Sequence, residues 1–186
     1  MSDAVDMTGR PTTPNASAGR GIRLLRAAVL FVAGLGIAFT ATMHARLSFD
    51  IGVTTAVLGV LGIVHLAAWF SSRASAIPLL LGVVAIVAAI LVPFTSSAVG
   101  FAVVVAAWSL ASALLEFVGA AAVQRSDATL LGALGVLLSI LVLLVREDPV
   151  AVLGFFGGYA VIAGVFLGIS AFDANAPAAE TDPEAP

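Results

Sequence analysis

No cysteine and no lysine occur in this sequence, and charged residues make up only 10% of it. Without cysteine there is no disulfide, thiol nucleophile or thiolate-bound metal, so the compartment must be read from topology. Without lysine the eight basic residues are all arginine, and they are scattered too thinly to track a phosphate backbone, which argues against nucleic acid as a partner. The only histidines are His44, at a helix mouth, and His65. Metalloprotease, phosphate-loop, dinucleotide and nucleophile-elbow motifs are all missing. The chain therefore reads as a non-enzyme, with no cofactor and no metal site expected.

What the sequence has instead is hydrocarbon. At 61% hydrophobic and a mean hydropathy of +1.14, it carries too little charge to clothe a soluble domain. Six apolar stretches run over 24–43, 51–70, 76–94, 98–123, 128–145 and 150–172. About 20 residues at 1.5 Å each cross a bilayer core of roughly 30 Å. The reading is an all-α membrane protein with six transmembrane helices over 22–172, its first partner the lipid bilayer. The flanks 1–21 and 173–186 are rich in Pro, small polar or acidic residues, bury little, and are expected to be disordered tails. A cleaved signal peptide is the rival reading of the first stretch, but "FTATMHAR" offers no small-x-small site and cleavage would leave five helices.

Orientation follows from the arginines. With a cytoplasmic N-terminus, Arg10, Arg20, Arg23, Arg26, Arg73 and Arg125 lie inside and only Arg46 and Arg146 outside, the expected bias. Both termini are then cytoplasmic.

An internal repeat organises the spans. "LLGVVAIVAAILV" from Leu80 matches "LLGALGVLLSILV" from Leu130, and Pro93 and Pro149 fall at or near the turns that follow. At an offset of 51 positions Trp108 aligns with Tyr159 and Ala113 with Gly164, and backwards Gly62 falls under Ala113 and His65 under Glu116. The chain is predicted to form three tandem helical hairpins, related about an axis along the membrane normal.

Two constellations stand out. In the last helix Gly154, Gly157, Gly158, Gly164 and Gly168 include two G-x-x-x-G spacings, and Gly157, Gly164 and Gly168 share a narrow stripe suited to helix packing. The partner helix could belong to this chain or to another copy, so a homo-oligomer stays open. In the fourth helix Ser109, Ser112 and Glu116 form a polar stripe that must avoid lipid and face other helices. A charged acid at that depth costs about 2.5–3.5 kcal/mol on insertion scales unless protonation, a partner or water relieves it. One reading is a neutral, hydrogen-bonded Glu116 with His65 snorkelling to the interface. The other is a proton-sensitive pair of Glu116 and His65. Trp108 and Tyr159, near mid-helix, read as packing residues or as polar tips turned inward. "REDP" at 146–149 reads as a solvated turn starting the last helix, with metal binding by Glu147 and Asp148 the weaker alternative.

The L-L-G helix starts, the Pro-containing outer turns, "AAWSLASALLEFVGAA" and "GGYAVIAGVFLGISAF" together resemble the HdeD-like membrane proteins. That resemblance implies short two-helix repeats, usually six helices, and an association with acid resistance in bacteria. It also implies a role for the acid of "ALLE", here Glu116. The first hairpin, with "MHARLSFD" and no Pro at its turn, departs from the pattern. The expected function is a non-enzymatic protein of acid or envelope stress tolerance. The alternative is a small transporter or proton-linked channel using Glu116 and His65. No small-molecule ligand is named by the sequence.

Overall fold

The computed structural model describes residues 14–44, 46–72, 75–123 and 126–173. Residues 1–13 and 174–186, which hold most of the two expected tails, lie outside them, as do Arg10, Arg73 and Arg125 of the orientation count. The described residues form six α-helices and two short 3₁₀ turns. The helices are α1 (Pro14–Phe39), α2 (Leu47–Ser72), α3 (Ile77–Leu91), α4 (Ala98–Val123), α5 (Ser126–Leu144) and α6 (Pro149–Asp173). Helix α1 starts upstream of the expected boundary near residue 22, at a proline whose ring suits a first helical turn.

Hydrocarbon forces this architecture, because a backbone in lipid must satisfy its own hydrogen bonds and a helix does so locally. The breaks fall where side chains can take over. Oδ1 of Asp148 accepts from the backbone N–H of Val150 and of Ala151 at 3.0 and 3.1 Å, capping α6 one residue before Pro149. Oγ of Ser97 accepts from Gly100 at 3.1 Å at the start of α4. Pro93 sits in the 3₁₀ turn Val92–Phe94 that closes α3.

Five of the helices are long and apolar enough to cross a membrane. Helix α5 offers a shorter apolar stretch, Ala128–Leu144. Outward-facing side chains such as Val32, Ile63, Leu114, Val118 and Ile169 are more than half exposed, a surface that water would not tolerate and lipid would. The protein is a multi-pass helical membrane protein.

Consecutive helices are neighbours, and α6 closes the set against α1. The expected hairpins α1/α2, α3/α4 and α5/α6 are the looser contacts. The close pairs are shifted by one helix: α2 with α3, α4 with α5, and α6 with α1. Small residues explain the shift. A Cβ on Gly62 would lie 2.6 Å from Ile86, one on Gly135 3.0 Å from the Cβ of Ala113, and one on Gly164 2.6 Å from the backbone nitrogen of Phe31. Gly62, Ala113 and Gly164, aligned by the repeat, thus occupy the three close interfaces.

The five glycines of α6 divide. Gly157 and Gly164 press on α1, whereas a Cβ on Gly154, Gly158 or Gly168 would meet nothing within 4 Å. The stripe that contained Gly168 is therefore a contact at Gly157 and Gly164 only. Within this chain the two G-x-x-x-G spacings are not the packing unit, because Gly154 and Gly158 face outward. At the end where the chain begins and finishes, the guanidinium of Arg20 lies 5.7 Å from the ring centre of Phe172, joining α1 to α6 again.

Candidate functional site

The even-numbered helices and α1 bring polar side chains to the bundle axis. Nη2 of Arg26, on α1, donates to Oε1 of Glu116, on α4, at 2.6 Å. The two side chains are 19% and 11% exposed, so the pair is largely withdrawn from solvent. Glu116 was expected to be neutral or paired with His65, and its partner is instead an arginine counted only for orientation. A guanidinium in contact answers the insertion penalty directly, because opposite charges in a low dielectric attract strongly while each alone would be costly.

Two cavities meet at this pair. The inner one, about 20 Å³, is walled by Arg26, His65, Trp108, Ser112, Glu116 and Tyr159 among others. That is room for a single water-sized group. The second, about 270 Å³, widens from the same Arg26, His65 and Glu116 past Arg23 and Ser75 to Ser170, near the end where the chain begins and finishes. All six helices contribute to each wall. The ion pair is therefore a polar septum on the bundle axis, with a vestibule on one side and a water-sized chamber on the other.

Two donors of residues that line the chamber lack acceptors. Nε of Arg26 and Nε1 of Trp108 are buried and have no hydrogen-bond partner among the described residues. Trp108 is fixed edge-on between Phe156 and Tyr159, with ring centres 5.5 and 6.3 Å away. The aligned pair Trp108 and Tyr159 thus does pack, and both also line the chamber.

Of the expected cluster, Glu116, His65 and Ser112 converge on the chamber. Ser109 does not. Its hydroxyl donates to the carbonyl of Gly135 at 2.6 Å, binding α4 to α5. His65 is buried on the wall of both cavities rather than snorkelling to an interface.

A second polar cluster lies at the opposite end of the bundle, between α1 and α2. Nδ1 of His44 is 2.7 Å from Oδ1 of Asp50, and Nε2 is 2.9 Å from the carbonyl oxygen of Ile37. Both side chains are buried. A carbonyl can only accept, so Nε2 donates to Ile37, and Nδ1 faces the carboxyl of Asp50. Oδ2 of Asp50 and Oγ1 of Thr54, one turn along, are buried without partners among the described residues. Between Thr54 and His65 the inward face of α2 is apolar, with Leu58 and Leu61 buried. The sequence placed His44 at a helix mouth but left Asp50 in a loop. An acid six residues from a histidine across a short turn was the available signal.

Glu147 and Asp148 are exposed, and Asp148 is engaged in capping. No group of three or more potential metal ligands occurs among the described residues.

Comparison of the chain with family models, with curated proteins and with solved structures gave no match.

Proposed function

We propose that this protein binds and passes a small polar solute or protons along its bundle axis, as a non-enzymatic transporter or proton-linked channel. The single observation behind this reading is the Arg26–Glu116 ion pair, placed between two cavities and beside His65. A buried ion pair contributes little net stability compared with well-packed apolar residues. An ionisable pair on a wet axis marks a route for solutes or protons.

In this reading all six helices span, α5 crossing on roughly 25 Å of apolar length in a bilayer that thins locally around it. Three two-helix repeats surround the axis, both termini are cytoplasmic, and the vestibule opens to the cytoplasm of a bacterial cell. Resemblance to the HdeD-like proteins supplies the setting, acid or envelope stress, in which such movement would protect the cell.

The test is reconstitution. Proteoliposomes should carry proton or solute flux above empty vesicles, and Ser112→Cys, in a chain with no other thiol, should make that flux sensitive to a small water-soluble thiol reagent. Absence of flux together with an unreactive Cys at 112 would return the protein to a purely structural role in the bilayer.

A further inference from the structure

We infer that the solute is a small monocarboxylate with an apolar tail, held by Arg26 and accompanied by one proton. This rests on the reading of the axial cavities as a solute route, and it adds the chemistry of the solute.

The geometry of Arg26 points to an acceptor with two oxygens. Glu116 uses one guanidinium nitrogen, Nη2, while Nε is buried with nothing to bind. Nε and Nη2 form one edge of the guanidinium, and that edge matches the two oxygens of a carboxylate. Glu116 thus acts as a tethered competitor, covering half of the edge that a free carboxylate would take whole. Nε1 of Trp108, whose side chain lines the chamber, is a further buried N–H without an acceptor among the described residues.

The vestibule favours a tail. Below the ion pair its wall is mostly aliphatic, with Ile22, Val64, Ile77, Leu81, Leu131 and Leu167 around it. Its volume of about 270 Å³ lies just under the range of pockets for drug-sized ligands, which suits a short acyl chain. Phosphate or sulfate would bring no apolar group to that wall.

Charge balance requires the proton. The charged and titratable groups on the two walls are Arg23 and Arg26 from α1, His65 from α2, Glu116 from α4 and Tyr159 from α6, while α3 and α5 present none. Arg26 and Glu116 cancel at the septum, and Arg23, one helical turn nearer the start of α1, lines only the vestibule and stands outside that balance. A carboxylate that displaces Glu116 from Arg26 adds one negative charge in a low dielectric, and one proton taken up by Glu116 or His65 restores neutrality. Binding of the anion and of the proton are then linked, and affinity must rise as pH falls.

The experiment uses the full chain in lipid nanodiscs with labelled hexanoate at about pH 6 and about pH 8, both well above the ~4 at which such a carboxyl ionises. Hexanamide and hexylammonium serve as competitors. Hexanoate should bind saturably, neither competitor should displace it, and its affinity should rise on acidification by up to about tenfold per pH unit, the limit for one linked proton. Glu116→Gln should bind at both pH values with the pH dependence gone, since Arg26 is then uncompensated and needs no proton. Arg26→Gln should not bind. Displacement by hexanamide, a pH-independent native protein, or a pH slope surviving in Glu116→Gln would each overturn the proposal. Binding of hexanamide or hexylammonium in place of hexanoate would reject the carboxylate and leave the axial route standing. Failure of all three, with Ser112→Cys unreactive, would reject the route itself.

Discussion

Gly34 and Gly157 meet backbone to backbone: a Cβ on Gly34 would lie 2.6 Å from the carbonyl oxygen of Gly157. With Gly164 against Ala27 and Phe31, this contact lets α1 and α6 approach closely, and in lipid such dispersion contacts are a main source of helix association. Gly34→Ala and Gly164→Ala are each expected to lower thermal stability in detergent, by about 1–3 kcal/mol as overpacking does. Gly154→Ala, which meets open space, should leave the melting temperature unchanged. Equal effects at all three positions would mean that the α1–α6 contact is not the close one.

The Arg26–Glu116 pair gives a double-mutant test. Removing one partner of a buried pair leaves an uncompensated charge and costs about 3–5 kcal/mol. Arg26→Gln and Glu116→Gln should therefore each destabilise, and the doubly substituted protein should recover much of the loss. Denaturation of the four proteins in one detergent measures the coupling. Additive losses would show that the two side chains do not meet.

Ser112 lines the chamber behind the ion pair, which an opening route would expose to water, whereas Leu114, two residues on, faces outward. Ser112→Cys should react with a small polar thiol reagent, and Leu114→Cys should react far more slowly. The rates can be compared directly because the native chain has no cysteine. A reversed order would rotate α4 away from the orientation described.

The His44–Asp50 pair separates a structural from a working role. Asp50→Ala strands Nδ1 of His44, which costs about 1–3 kcal/mol for a buried polar group. Joint replacement by apolar residues, His44→Phe with Asp50→Leu, should restore stability. If that variant also keeps full flux in proteoliposomes, the distal pair is only a clasp between α1 and α2. Loss of flux in a stable protein would place it on the route.

Much of the architecture was legible because apolar length and helix geometry are one-dimensional quantities. The runs around residues 51–70 and 98–123 lie on α2 and α4, and His65 and Glu116, aligned by the repeat, both line the axial cavities. Arg26 was not legible. Near the start of a span, a basic residue is ordinarily read as a flanking charge, and nothing local connects it to an acid ninety positions later. Ser109 misled for the related reason that helical periodicity gives a side chain's direction but not the carbonyl of Gly135 waiting there. The pairing of helices was hidden as well, since hairpins are the cheapest inference from short loops, while close contact is decided by where Gly62, Ala113 and Gly164 fall.

The closure of α6 against α1 carries a cost in time. A ribosome delivers the helices in order, so α1 is in the bilayer well before α6, its closest neighbour, arrives. Until α4 arrives, Arg26 stands in lipid or at its edge without Glu116, at the insertion cost of a lone arginine. Its place near the start of the span lets it reach toward the headgroups during that wait. The bundle can therefore be completed only when its final helix docks on its first, and a chain cut short before α6 would leave its charged centre open to chaperones and membrane proteases.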